Sequence, residues 1–234
     1  MKLKIPFMTM VCAASLAVAA CAAAPTTRQA RETDLTSAQG RVDRAVDVID
    51  QMQSQPGTAA LLRNARGVLV VPDYVQAAFI IGGRGGVGVL VARHDGHWSD
   101  PAFFQVGGLS LGLQAGVDAG PVAYVLMTPR AVREFENRPG RFSLGADAGL
   151  TVATFSSATH IVSTLPTADV IVWTGTAGVF GGVAFDATDV VSNPRLDEAY
   201  YRSLTSVRQI LDGDVHNRLA DRLQVALSAR VASR

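Results

Sequence analysis

The sequence predicts an α+β domain: a curved antiparallel β-sheet with a barrel-like core, flanked by N-terminal and C-terminal helices. Three observations lead there. Helical periodicity is confined to the two ends of the chain and one internal segment. The middle runs as β-rich stretches bounded by Gly, Pro and Asp, with turn signals every 8–12 residues. Glycines recur inside those stretches, as sheets that bend or pack backbone on backbone require. The 234 residues leave room for one domain with a small appendage. Hydrophobic residues at 48% against 18% charged mark a packed chain, not a disordered one.

Lys2 and Lys4 open the chain, an apolar run follows, and Val18-Ala19-Ala20-Cys21 closes it. Residues 1–20 read as a lipoprotein signal peptide, too short and wrongly flanked for a spanning helix. A branched apolar residue, two small residues and a cysteine resemble a lipobox, so Cys21 is expected to be acylated (palmitate-type) and to become the new N-terminus. Ordinary cleavage within "AACAAAP" stays open as the alternative. Cys12 leaves with the signal, so one cysteine remains and no internal disulfide can form. Residues 21–36, small and polar with Pro25, are expected to be a flexible tether. In a Gram-negative host, the absence of Asp after Cys21 would resemble the outer-membrane sorting pattern, with the anchor facing the periplasm.

Every basic residue after Lys4 is arginine, and loss of the two lysines leaves 19 basic against 20 acidic side chains. A near-neutral domain recruits no nucleic acid and depends on its anchor, not on bulk charge, for membrane contact.

Residues 37–234 are expected to fold as a single domain. Val42, Ala45, Val46, Ile49 and Met52 give a helix over 37–52, and Pro56 starts a short second one. Runs at 67–71, 77–81, 87–92, 121–127 and 169–175 read as strands. Segments 109–117 and 142–152 alternate and read as strands too. Thr128-Pro129 starts a helical insertion to 137. Helices are expected after Asn193-Pro194, from Ser206 to a stop at Gly213, and from Asp214 through Leu219, Leu223 and Leu227.

Three motifs suggest chemistry. Gly83-x-Gly85-x-x-Gly88 has dinucleotide-binding spacing, but the fingerprint needs a helix after the last glycine, and "VGVLVAR" continues as strand. Gly108-x-Ser110-x-Gly112 matches a nucleophile elbow, which also needs a helix; a triad would draw on Asp169 or Asp186 with His216. His94, Asp95, His97 and Asp100 can ligate a metal, yet Asp95-Gly96 is first a hairpin turn signal. Neither an enzyme, a cofactor nor a metal is expected. Trp98, Phe103 and Phe104 are expected beneath the hairpin as core. The amides of "GGRGG" can form an anion-binding nest beside Arg84.

"ARGVLVVP", "IIGGRGGVGVLVAR", "WSDPAFF", "GGLSLGLQAG", "LGADAG" and "GVFGGVAFDAT", in that order, resemble the SYLF-domain family over roughly 38–213. The resemblance implies a lipid-binding module; eukaryotic members bind phosphoinositides and some bind actin, while bacterial members are often secreted lipoproteins. Actin binding is not expected here. The lipid-binding helix of eukaryotic members corresponds to about 37–52, which is short of basic residues. Arg202 stands after the paired tyrosines where the family pattern has glycine. The expected function is therefore a membrane-anchored, non-catalytic lipid-binding lipoprotein of the envelope, with Arg63, Arg66, Arg84 and Arg93 as candidate phosphate contacts. Its partners would be membrane lipid and possible envelope proteins. The alternatives are a structural or protein-interaction lipoprotein without a lipid site, and a serine hydrolase using Ser110.

Overall fold

A computed structural model describes residues 27–138, 140–156, 168–175, 185 and 188–229, with backbone only at 27, 56, 78–82, 109–117 and 156. The expected signal peptide, Cys21 and Asp186 lie outside these. The chain runs through α1 (Thr27–Gln53), α2 (Pro56–Asn64), β1 (Gly67–His94), β2 (His97–Trp98), β3 (Ala102–Leu126), α3 (Pro129–Asn137), β4 (Phe142–Ser143), β5 (Val152–Ser156), β6 (Val170–Thr174), β7 (Asp189–Ser192), α4 (Pro194–Tyr201), α5 (Val207–Leu211) and α6 (Asp221–Ser228). The strands make one curled sheet, a half-barrel, in the order β2-β1-β3-β6-β5, with β7 joining β3 to β4. The class is α+β, as expected. All ladders are antiparallel except β5 on β6, where Val152 aligns with Val170 in parallel.

One hairpin dominates. β1 and β3 pair from Gly67↔Leu126 to Leu90↔Ala102, so the runs expected as three separate strands (67–71, 77–81 and 87–92) are one. The ribbon then folds back on itself. Between Ala78↔Gly116 and Ile80↔Gly112, β1 advances two residues while β3 spends four, which turns the ribbon toward the β1 side. The two ends of β1 meet, and the Arg93 amide donates to the Arg66 carbonyl at 2.7 Å. Glycine makes the approach possible. A Cβ on Gly88 would sit 2.6 Å from the Val70 carbonyl oxygen, and one on Gly86 2.7 Å from that of Asp73.

Both faces of the sheet are covered. Leu69, Val71, Leu90, Phe104, Tyr124 and Val172 pack on one side with Phe135 of α3 and Ile210 of α5. Val68, Val70, Val89, Phe103, Val125 and Trp173 pack on the other with α1, α2, α4 and α6, through Val42, Ile49, Leu62, Tyr200 and Leu223. Neighbours in sequence thus go to opposite faces and both are buried, which is why the strands read as continuous apolar runs. The expectation that Trp98, Phe103 and Phe104 belong to the core holds.

Several boundaries differ from the sequence reading. α1 begins at Thr27, so 27–36 of the expected tether is helix. An Arg28–Glu32 pair at 3.1 Å and an Asp34–Arg195 ion pair at 2.7 Å hold it, and no glycine or proline intervenes between Pro25 and Gly40. Segment 142–152 is not one alternating strand. After Ser143 it turns, with Asp147 accepting the Ser143 amide at 2.8 Å and Gly149 at φ 60°, although Phe142, Leu144, Ala148 and Leu150 remain buried. The last helix does not start at Asp214. Asn217 caps a 3-10 turn at Arg218–Ala220, and α6 follows it. Thr128, Asn193 and Ser206 cap α3, α4 and α5 through their side chains. Arg202 adopts the left-handed conformation, φ 56°, that favours glycine. Among the described residues no helix is long and apolar enough to cross a membrane.

Candidate anion-binding site

The Asp95-Gly96 turn, with φ of 47° and 86°, aligns His94 with His97 and Arg93 with Trp98. The Arg93 guanidinium lies 4.5 Å from the centroid of the Trp98 ring. From there Nη1 donates to the Arg63 carbonyl at 2.8 Å, in the last turn of α2. That is the negative end of the helix dipole, so one task of Arg93 is to cap α2. The backbone junction from Arg93 to Arg66 sets Arg66 beside it, while Arg63 contributes its carbonyl here. Arg63 and Arg66 are exposed and Arg93 is half-buried. Burial, then the nearby Arg66 charge, lowers the pKa of Arg93. Arg63, Arg66 and Arg93 have no carboxylate partner among the described residues. Planar guanidinium forks crowded without a counter-charge are suited to phosphate or carboxylate.

Arg84 is not part of this corner. It lies far along β1, opposite Gly108, 8% exposed. Its charge acts on the buried phenols of Tyr74 and Tyr124 on the inner face; burial raises both phenol pKa values and Arg84 opposes the rise. The nest that "GGRGG" could supply does not form, because Gly82 to Gly86 is aligned residue by residue with Ser110 to Val106 in the ladder.

The other motifs resolve similarly. Gly88 lies inside β1 and Ser110 inside β3, and strand continues after both. The sequence matches are therefore ladder positions, without the helix that either chemistry needs. Asp169 accepts from Thr128 Oγ1 at 2.8 Å and from the Thr151 amide and hydroxyl at 3.1 and 3.0 Å, joining α3 to β5. Burial opposes its ionisation, but the bonds from Thr151 and Thr128 and the Arg130 charge outweigh it and hold the carboxyl below its usual range. His216 sits between Asp100, 3.3 Å from Nδ1, and Asp221, 3.5 Å from Nε2. Among the described residues no three His, Cys, Asp or Glu side chains are placed to hold a metal.

Two buried carboxylates hold the fold together; the sequence marked Asp100 only as a metal candidate and did not mark Asp197. Asp100, 2% exposed, accepts from the Asn217 amide and from Gln224 Nε2 (2.8 Å), tying the hairpin to the C-terminal segment. Burial raises its pKa, against the bonds from the Asn217 amide and His216. Asp197, 1% exposed, accepts the Phe103 amide at 2.9 Å, and burial pushes its carboxyl up to about 7. Its inward position was legible as the neighbour of Leu196 at the buried start of α4; its polarity hid it. Beside the arginines, an open groove of about 600 Å³ runs between β2 and α6, lined by His97, Trp98, Asp221, Gln224, Val225 and Ser228.

The structure is a half-barrel wrapped by helices, with Arg66 and Arg93 side by side at its edge and no carboxylate partner for either among the described residues. Residues 107–230, more than half of the chain, match the family described as Ysc84: Las17-binding protein actin regulator. The chain belongs to this Ysc84 (SYLF-domain) family. It is similar to SH3 domain-containing protein PJ696.02 of Schizosaccharomyces pombe, 29% identical over 74% of this chain and 41% of that protein. SH3 domain-containing YSC84-like protein 1 of Bos taurus is 27% identical over 67% of this chain and 46% of its own length. Protein YSC84 of Saccharomyces cerevisiae is 26% identical over 66% and 34%. The chain thus spans less than half the length of these relatives. None of the three names denotes an enzyme. No solved structure matches the chain.

Proposed function

We propose that this SYLF domain is a non-catalytic, lipid-binding module held at an envelope membrane by acylated Cys21. In this reading the anchor is an outer-membrane lipid facing the periplasm. The corner of Arg63, Arg66 and Arg93 contacts an anionic headgroup, and Arg84 serves the interior instead. The observation that carries the reading is that Arg66 lies close enough to Arg93 for its charge to act on that guanidinium, at the end of α2 that carries Arg63, and that none of the three has a carboxylate partner among the described residues. The lipobox at 18–21 supports the anchor. Two acyl signals make such an anchor stable where one chain is marginal.

A fragment of residues 27–234 contains every described element and lacks the anchor. Flotation with anionic vesicles, weakened by salt and by Arg66→Ala, is the expected result. Failure to float with any bacterial lipid mixture would leave only the anchor, and would favour the second reading. That reading is a protein-interaction lipoprotein, and the family description as a Las17-binding protein supports it. A serine hydrolase using Ser110 predicts an esterase signal lost in Ser110→Ala; a background-level signal in both proteins is expected.

A further inference from the structure

We propose that α4 is a pH-released latch, seated on the strip from Pro101 to Phe103 through the carboxyl of Asp197, and that loss of the proton from this carboxyl lifts the helix while the central ladder stays closed.

The seat is the first argument. Residues 99–101 join β2 to β3, and α4 hangs on this junction at both ends. At its start, the Asn193 amide donates to the Phe103 carbonyl at 2.8 Å, and Asp197 Oδ1 accepts the Phe103 amide at 2.9 Å. At its end, the Tyr201 hydroxyl donates to the Pro101 carbonyl at 2.7 Å. Between them the Tyr200 ring stands edge-on to Phe103, with centroids 5.3 Å apart.

Charge is the second argument. Asp197 is 1% exposed and has no ion-pair partner among the described residues. The cations packed around α4 are engaged elsewhere. Arg195 pairs with Asp34 of α1 at 2.7 Å, and Arg222 of α6 lies 3.7 Å from Asp43 of α1. His216 stands between Asp100 and Asp221. On α4 itself Glu198 faces solvent, and Tyr200 and Tyr201 are phenols kept protonated by burial and by the Asp100 charge. The positive end of the α4 dipole favours a charged Asp197, but more weakly than burial opposes it. Protonated, the carboxyl is a neutral acceptor for the Phe103 amide. Ionised, it is a buried charge that gains water only when α4 moves outward. Burial pushes this carboxyl from 3.8 up to about 7, so the proton holds the latch fully below 3.8 and the hold is lost as pH rises through about 7.

The third argument is that α4 can leave alone. It is 8 residues long, too short to stand without its packing. The loop 202–206 follows, with Arg202 left-handed and Leu204 88% exposed. That loop separates α4 from α5, whose Ile210 is buried on the opposite face of the sheet. Lifting α4 uncovers the Phe103 ring and releases Asp34 of α1 without drawing α5 out.

The test follows amide exchange in the full-length chain, wild type against Asp197→Asn, each pair at one pH so that intrinsic rates cancel. From pH 5 to pH 8.5 the wild-type-to-variant exchange ratio over 195–201 should rise about 100-fold. A flat ratio would overturn the proposal. Exchange over 195–201 should also be insensitive to sub-denaturing urea, as a local opening exposes little surface, while exchange over 122–126 in the central ladder accelerates. Equal urea dependence would mean that α4 leaves only with the whole fold, and would overturn the latch. Tyr201→Phe removes the other end of the seat and should open α4 about five-fold at both pH values with the pH response retained. Unchanged exchange over 195–201 in that variant would count against the seat. If Asp197→Asn does not fold, the wild type measured against its own unfolded chain should lose about 100-fold of its protection over 195–201 across the same interval, and constant protection would refute the latch.

Discussion

Replacing Asp197 by Asn tests the packing of α4 against the sheet. β7 ends at Ser192, and the Asn193 amide still donates to the Phe103 carbonyl at 2.8 Å. The Phe103 amide instead finds Asp197 Oδ1, at 2.9 Å, in a place sealed from water. One hydrogen bond does not offset the burial of a full charge, so the carboxyl is raised from 3.8 to about 7. A group raised in this way binds more protons folded than unfolded between those two values. Its stabilising contribution is complete below 3.8 and is lost as pH rises through about 7. Between pH 5 and pH 8.5 the loss is about 3 kcal/mol. Asn keeps an oxygen for the Phe103 amide and carries no charge, so it escapes this loss. Urea unfolding of both proteins at both pH values isolates the effect, because other titrating groups cancel in the difference. Relative to wild type, Asp197→Asn should gain about 3 kcal/mol on going from pH 5 to 8.5. Parallel profiles, within about 1 kcal/mol, would show that water or a counter-charge reaches this carboxylate and that the burial argument is wrong.

Further outcomes follow from other contacts. Asp100→Ala strands the Asn217 amide and the Gln224 side chain, and should cost about 2–4 kcal/mol, with hydrogen exchange accelerated over 215–229. Gly88→Val drives a Cβ into the Val70 carbonyl and should lower stability by about 2 kcal/mol or more in thermal unfolding. Arg202→Gly relieves a left-handed residue and should raise stability by about 1 kcal/mol. In flotation, Arg66→Ala should weaken association with anionic vesicles about five-fold and flatten its salt dependence.

The strands at 67–71, 87–92, 121–127 and 169–175 were legible because branched apolar residues buried on two faces leave an unbroken run. The helices at Pro56, Thr128, Asn193 and Ser206 were legible because a proline or a short polar side chain sits at each start. What misled is equally specific. Gly82 to Gly88 reads as a series of breaks, yet the glycines keep one strand continuous while its two ends close on each other. Residues 27–36 read as linker because polarity is the only local signal, whereas a partner 161 positions away, Arg195, fixes Asp34. The arginines were visible as residue types. That Arg93 would meet Arg66 and the Arg63 carbonyl, and that Arg84 would turn inward, depends on the ribbon's doubling, which no local pattern encodes. Asp100 was noticed only as a metal candidate; its donors come from residues 216–224, beyond the reach of any motif.

A sheet whose central members are supplied by a single hairpin has only one alignment to choose. Sliding β1 past β3 by one position at Leu90↔Ala102 would exchange the occupants of the two cores along the ladder as far as the irregularity at Ala78/Ile80, Val89 for Leu90 among them. The same slip would carry Gly86 and Gly88 away from the carbonyls they accommodate. The two-residue turn at Asp95-Gly96 is thus a gauge for the whole architecture, and lengthening it by one residue should harm the protein far more than its exposed location suggests.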